Sequence, residues 1–252
     1  MNLGIAGKVA VVSGSSSGLG KAVAYALAAE GVKLVLFARS AAALQAIASD
    51  IEQKHGVPVL AIAGDMRITG DVERLVAGLQ QKFGAPDILI VNTGRPPKPM
   101  VEVLKENDDA RWEDAYQTQL RGAVHVANRI VPLMLGRGWG RVIAITSATV
   151  KQPMPWHGLS TIFRAGVTAY MKHLANEIAA QGVTVNTVCP GLIDTVFRKP
   201  EEVAERMKLI PLQRMGRADE FAATVAYLAS EQAGFITGAS LHVDGGAVAS
   251  LY

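Results

Sequence analysis

This chain of 252 residues has little of what marks a disulfide, metal, membrane or nucleic-acid protein. Cys189 is the only cysteine, so no intrachain disulfide can form. The five histidines, His55, His125, His157, His173 and His242, show no metal-ligand spacing with one another or with Cys189, so no metal site is expected. No uninterrupted apolar run reaches membrane-spanning length, and a basic leader followed by a signal-length apolar core is missing. The expectation is a soluble, cytoplasmic protein without a membrane partner. Charge of one sign is also scarce: 25 basic residues face 22 acidic ones, interspersed, for a net +3, which gives no footing for nucleic acid.

What is present is apolar sequence, half of all residues, enough to bury a full core. One domain over residues 1–252 is expected, since no low-complexity linker or solenoid-period repeat divides the chain. The stretch from Val9 to Gly20 is the most informative. Val9 to Val12 are a short apolar run suited to a strand buried on both faces, Ser13 to Ser17 make a turn, and from Gly20 the stripe Val23, Ala24, Leu27, Ala28 is helical up to Gly31. A second apolar run, Leu34 to Ala38, completes a βαβ unit whose turn directs free N–H groups and a helix start at one point. Gly14, Gly18 and Gly20 have separate tasks there: a tight turn, close approach of backbone to a pyrophosphate, and close packing of helix on strand.

Alternating helix and strand patterns continue to the end, which argues for a single doubly wound parallel α/β sheet flanked by helices. Helical patterns cover Ala41 to His55, Thr69 to Phe83, a long stretch from about Asp109 to Leu135 kinked near Pro132, Ser160 to Ala180, and Ala218 to Ser230. Strand patterns cover Val59 to Ala63, Ile88 to Val91, Arg141 to Ser147, Val183 to Val188 and Ser240 to Val243. Two connections after strand ends border the expected crevice: Arg95 to Asn107, rich in proline, as a wall, and Leu192 to Leu212, long enough for a lid.

These segments resemble the short-chain dehydrogenase/reductase family over essentially the whole length. SGSSSGLG at Ser13 to Gly20 is similar to that family's TGxxxGxG loop, and VNTG at Val91 to Gly94 to its NNAG motif. VTVNTVCPGLIDT, Val183 to Thr195, and the tail from Pro211 to Gly246 resemble the closing segments of its classical branch, in particular 3-oxoacyl-acyl-carrier-protein reductases. The resemblance implies a Rossmann fold, a homotetramer, and cofactor contacts from Gly14, Ser16, Ser17, Gly18, Leu19 and Gly20. It further implies Asp65 at the adenine, Asn92 and Gly94 along the adenosine side, Ile193 and Thr195 at the nicotinamide, and Met66, Pro190 and Gly191 as further cofactor contacts.

Cofactor choice follows from the end of the second strand. A site for NAD needs a carboxylate there for the ribose hydroxyls, and this chain has Ala38 followed by Arg39. A guanidinium suits a 2′-phosphate, so NADP(H) is the expected cofactor. Ser17 stands where many NADP-dependent relatives carry a basic residue.

The catalytic positions depart from the resemblance. With Ser147 aligned on the family serine, Ser160 takes the place of the tyrosine, Arg164 that of the lysine four residues on, and Gln119 that of the asparagine. A serine hydroxyl is a far weaker acid than a phenol, and arginine stays protonated, so the pair cannot repeat the usual proton transfer. Ser147 and Ser160 can still donate to a carbonyl oxygen, and Arg164 to ribose hydroxyls or to a substrate carboxylate. His157 and Lys151, in the loop before the Ser160 helix, are candidate proton donors and equally explicable as loop residues touching water.

Arg95, Lys98, Lys151, Arg164, Arg198 and Lys199 fall near the strand ends and would suit an anionic substrate, or are solvated loop charges. Met154, Trp156 and Phe197 could form an apolar wall or simply pack the core. Two functions follow: an NADP(H)-dependent oxidoreductase interconverting a carbonyl and a hydroxyl group of a small molecule, or a non-catalytic NADP-binding homologue acting as sensor or partner subunit.

Overall fold

The computed structural model describes residues 2–195 and 200–251. The chain opens with β1 (Val9–Ser13), α1 (Gly18–Ala29) and β2 (Lys33–Ala38). There follow α2 (Ala41–His55), β3 (Val59–Ala63), α3 (Thr69–Phe83) and β4 (Ile88–Asn92). The ends of α1 and α2 show why these helices stop where they do. Val32 N–H donates to the Leu27 carbonyl and Gly31 N–H to that of Ala28, a Schellman closure that needs the left-handed φ of +78° at Gly31. At α2 the Ser40 hydroxyl accepts from Ala43 N–H, and Gly56 closes the far end at φ 67°.

The long helical pattern after the proline-rich loop is broken into pieces. It comprises α4 (Asp109–Ala115), a π-helical turn (Tyr116–Arg121), α5 (Gly122–Ile130) and a 3-10 turn (Val131–Met134). The expected kink at Pro132 is the 3-10 turn; the π turn carries no proline or other sequence signal. Next come β5 (Gly140–Ile145), α6 (Gly158–Ile178) and β6 (Val183–Pro190). The connection expected as a lid contains β7 (Ile193–Asp194) and α7 (Pro200–Met207), and β7 pairs with β8 (Gly216–Arg217). The chain closes with α8 (Ala218–Leu228) and β9 (Ser240–Val243).

Among the described residues seven parallel strands form one sheet in the order β3-β2-β1-β4-β5-β6-β9. Strand alternation divides the core in two. Val12, Leu34, Leu36, Ile90 and Val188 face α1, α2 and α8, whereas Val11, Val35, Leu89, Val142 and Val185 face α3, α5 and α6. The chain leaves β1 toward β2 and β3, then returns across it to β4, β5 and β6. That reversal opens a crevice at the carboxyl ends of β1 and β4, the position at which such sheets bind ligands.

Candidate active site

Asn92, at the end of β4, ties the two sides of the reversal together. Its backbone N–H donates to the Ser13 hydroxyl at 3.0 Å, its carbonyl lies 3.0 Å from the same hydroxyl, and its side-chain amide donates to the Gly14 carbonyl at 3.1 Å. Gly14 has φ +61°, and a Cβ there would lie 2.7 Å from both the Asn92 amide nitrogen and carbonyl oxygen. A Cβ on Gly20 would come within 2.3 Å of the Gly14 carbonyl, so α1 packs on the turn at a distance only glycine allows. Gly18 is also left-handed, yet a Cβ there would meet nothing nearer than Thr195 Cβ at 3.9 Å. The turn is therefore tight on the sheet side and open on the other. Ser17 heads α1 without capping it through its side chain, and no acidic residue stands in the first turn, which leaves that end of the helix dipole unneutralised. Beside it a groove of about 1040 Å³, lined by Ser16, Ser17, Gly18 and Thr195, runs between α1 and α8.

The end of β2 presents Ala38 and then exposed Arg39, with no carboxylate at the tip. Asp65, after β3, is already engaged: Arg67 Nε lies 3.0 Å and Nη2 2.7 Å from its Oδ2. Burial alone would raise its carboxyl, but the bonds from Arg67, with Arg39 nearby, hold it below the ordinary aspartate range. Arg67 also reaches Asp114 on α4 at 3.1 Å. The Met66 carbonyl lies 3.0 Å from His125 Nδ1, and its side chain lies against Gly122, where a Cβ would be 2.6 Å from Met66 Cγ. Arg67 was not read from the sequence as a site residue, although its place two positions from Asp65 was the available signal.

At the other end of the crevice, Ser147 follows β5 and caps a short 3-10 turn. Ser160 and Arg164 lie one turn apart on α6, both buried. Arg164 Nη1 donates to the carbonyls of Ile145 and Thr146 and Nη2 to that of Gly94, each at 3.1 Å. Three of its five N–H groups are thus spent on backbone at the ends of β4 and β5. That narrows the expectation that it serves ribose or a substrate carboxylate to Nε and one Nη2 proton. Burial, and secondarily the charge of Arg95, push its guanidinium down to about 10, still cationic at neutral pH. No acidic side chain pairs with it among the described residues.

Gln119 sits fully buried in the π turn, and neither its carboxamide oxygen nor its nitrogen has a partner among the described residues. Buried groups of this kind ordinarily hold water or ligand. His157 precedes α6 with Nδ1 2.8 Å from the Pro155 carbonyl, and Lys151 is exposed. Neither is bonded to Ser147, Ser160 or Arg164. Gly191 pairs with Val243 through its N–H at 3.0 Å and is held against Asp244, where a Cβ would come within 2.7 Å, so Pro190 and Gly191 follow β6 along β9. Ile193 is buried in β7 and Thr195 half-buried beside the glycine turn.

The wall after β4 is stapled by a residue that sequence reading missed. Arg111 on α4 makes a two-pronged pair with buried Glu106 at 2.7 and 2.9 Å, and donates to the carbonyls of Lys98 and Pro99. Gly158 at the start of α6 packs on Val103, where a Cβ would sit 2.4 Å from Val103 Cγ2. Of the expected apolar wall, Met154 is half-buried and Trp156 exposed with a left-handed φ of 61°. Phe197, Arg198 and Lys199 lie outside the described residues.

Known proteins place the chain. The family described as enoyl-(acyl carrier protein) reductase matches residues 14–248. The 3-oxoacyl-[acyl-carrier-protein] reductase FabG of Haemophilus influenzae is 35% identical over 243 residues, 95% of this chain and 98% of that protein. The corresponding Synechocystis reductase is 34% identical, covering 96% and 97%. Among solved structures, L-sorbose reductase of Gluconobacter frateurii, complexed with NADPH and L-sorbose, superposes with a TM-score of 0.90 at 32% identity over all of both chains. Actinorhodin polyketide ketoreductase with NADPH gives 0.90 at 30% identity, covering 97% of this chain and 98% of that one. With its doubly wound parallel sheet and glycine turn at the switch point, this chain belongs to the short-chain dehydrogenase/reductase family, on the branch of the 3-oxoacyl-acyl-carrier-protein reductases.

Proposed function

We propose that this protein is an NADP(H)-dependent oxidoreductase that interconverts a carbonyl and a hydroxyl group, with Ser160 and Arg164 in place of the usual tyrosine and lysine. The observation that carries the cofactor reading is the combination of an open glycine turn at Gly18 with a β2 tip that offers Arg39 and no carboxylate. The pyrophosphate would rest on Gly14, Ser16, Ser17, Gly18, Leu19 and Gly20. Arg39 would take the 2′-phosphate. Asp65, Met66, Asn92 and Gly94 would line the adenosine, and Pro190, Gly191, Ile193, Thr195 and the free N–H groups of Arg164 the nicotinamide side. When bound, the reduced nicotinamide supplies hydride.

The chain's own residues orient the carbonyl and exclude water. Ser147 and Ser160 donate to its oxygen, Arg164 holds the ends of β4 and β5 and adds positive potential, and the unpartnered carboxamide of Gln119 in the π turn offers a further buried polar group. Without the phenol, general acid catalysis worth ~10² to 10⁴ in rate is lost unless His157 or Lys151 delivers the proton. Positioning alone still accelerates hydride transfer. Arg95, Lys98, Lys151 and Arg164, none of which forms an ion pair among the described residues, favour an anionic substrate.

A second reading, a non-catalytic NADP-binding homologue, draws support from the commitment of Arg164 to three carbonyls. NADPH binding with turnover on a panel of ketones and 3-oxoacyl thioesters supports the first; tight binding without turnover on any of them supports the second. Exposed Tyr227 on α8, Leu241 on edge strand β9 and Phe235 between them fit burial in a homotetramer, to be checked by light scattering. No helix among the described residues is long and apolar enough to cross a membrane, and a cytoplasmic setting belongs to the same proposal.

A further inference from the structure

Hydrogen bonding at the crevice end of β5 leaves the two serines as donors. Ser147 Oγ accepts twice from Thr149, from the backbone N–H at 3.2 Å and from the hydroxyl at 2.9 Å. With both lone pairs filled, its own proton is what it can offer a ligand. Ser160 is buried, and its hydroxyl has no partner among the described residues. One turn on, Arg164 has given three N–H groups to carbonyls and keeps Nε–H and one Nη2–H. No carboxylate pairs with it among the described residues, and Arg95 is near enough for its charge to be felt there.

No titratable acid is bonded to either serine. His157 holds Nδ1 at the Pro155 carbonyl, and Lys151 is exposed. The Cys189 thiol is bonded to the Thr146 hydroxyl at 3.2 Å, where burial pushes it above its ordinary range. The site can therefore receive negative charge on oxygen but holds no acid placed to quench it. The alkoxide formed when a carbonyl accepts hydride must take its proton from water. Help from a general acid matters most for a strongly basic alkoxide and fades as that basicity falls. A carboxylate attached to the carbonyl carbon lowers it, the more so when a cation offsets the carboxylate charge, and makes that carbon a better hydride acceptor.

We infer that the site of Ser147, Ser160 and Arg164 is fitted to 2-oxo acids, whose carbonyl is activated by the neighbouring carboxylate, in preference to ketones with an isolated carbonyl. This deepens, and rests on, the NADP(H)-dependent carbonyl reading above. The serine hydroxyls donate to the ketone oxygen, and the remaining N–H groups of Arg164, with Arg95 nearby, take the carboxylate. The carbonyl carbon accepts hydride from the reduced nicotinamide and gains a C–H bond, while the C=O π pair moves onto oxygen. Water gives that oxygen its proton, leaving hydroxide. The 2-oxo acid is reduced to a 2-hydroxy acid and the nicotinamide is oxidised.

Three substrates of one chain length test this, 2-oxohexanoate, 5-oxohexanoate and 2-hexanone, each offered with NADPH whose oxidation is followed by absorbance. The first two carry the same charge and differ in whether the carboxylate activates the carbonyl. The kcat/KM for 2-oxohexanoate should exceed that for 5-oxohexanoate by about 10², and that for 2-hexanone by more. Ser160→Tyr supplies an acid, a phenol one turn from the Arg164 cation, and should lower the ratio for the two anions by about tenfold or more. Where circular dichroism shows that this variant does not fold, imidazolium added to the unchanged protein at fixed pH should lower the same ratio, because it serves the isolated carbonyl more. A ratio near one, or a ratio that neither the phenol nor imidazolium lowers, overturns the inference and leaves the carbonyl reading standing. NADPH binding is followed separately by its fluorescence. If NADPH does not bind, or binds and no carbonyl compound is turned over, both fall.

Discussion

The guanidinium of Arg164 donates to the carbonyl oxygen of Thr146, the residue before Ser147, at 3.1 Å. A side chain of α6 therefore fixes the backbone that presents the serine. With its further bonds to Ile145 and Gly94 it joins α6 to the ends of β4 and β5.

Arg164→Ala is expected to cost about 3 kcal/mol of stability, since it strands buried carbonyls that a charged donor now satisfies. Urea unfolding should show a lower midpoint at unchanged slope. Arg164→Lys, which can reach fewer of the three carbonyls, should fall between the two.

Gly20→Ala should weaken NADPH binding by about tenfold or more, because the new methyl would lie 2.3 Å from the Gly14 carbonyl and must displace the turn. Gly70→Ala, where a Cβ meets nothing within 4 Å, is the control and should leave binding unchanged. Fluorescence titration reads both.

Replacing Arg39 by aspartate should reverse cofactor preference. The carboxylate would repel a 2′-phosphate and accept from ribose hydroxyls, so the ratio of Kd for NADH to Kd for NADPH should fall by about tenfold or more. An unchanged ratio would place phosphate recognition elsewhere.

Glu220, at the start of α8, should stay ionised in strongly acidic solution. It accepts from Arg214 at 2.7 and 2.8 Å and from the backbone N–H of Arg217 at 2.8 Å, which hold its carboxyl down to about 2. Because the folded value is depressed, its contribution to stability is present above the ordinary glutamate range and is lost as pH falls through about 2. In Arg214→Ala the loss should begin at higher pH, as a carbon-13 titration of the Glu220 carboxyl would record.

Arg111→Ala should loosen the wall after β4 without touching the cofactor. Hydrogen exchange over residues 96–107 should quicken, and KM for any turned-over substrate should rise while the Kd for NADPH holds. A shift in NADPH affinity of the same size would mean that the loop reaches the cofactor as well.

Local patterns account for how much was legible. Strands such as Val59–Ala63 and helices such as Thr69–Phe83 have the bounds that periodicity and turn residues predict, because each is fixed by its own few residues. The π turn at Tyr116–Arg121 was not legible, since nothing in YQTQLR differs in propensity from an ordinary helix. Arg111 escaped for another reason: a long charged side chain that reaches the carbonyls of Lys98 and Pro99 declares those partners only when the chain has folded.

The sequence by itself determined the βαβ start, the parallel sheet, the glycine turn, and the absence of an acid at the tip of β2. Those depend on residue type, period and spacing, which act along the chain. Only the tertiary structure decided where the charges and hydroxyls are spent. Arg164 is bound to carbonyls 18, 19 and 70 residues away, and Asp65 is occupied by Arg67. Ser147 has its lone pairs filled by Thr149. Hydrogen bonds are directional and short, so which donor meets which acceptor is settled only when packing brings distant segments within about 3 Å.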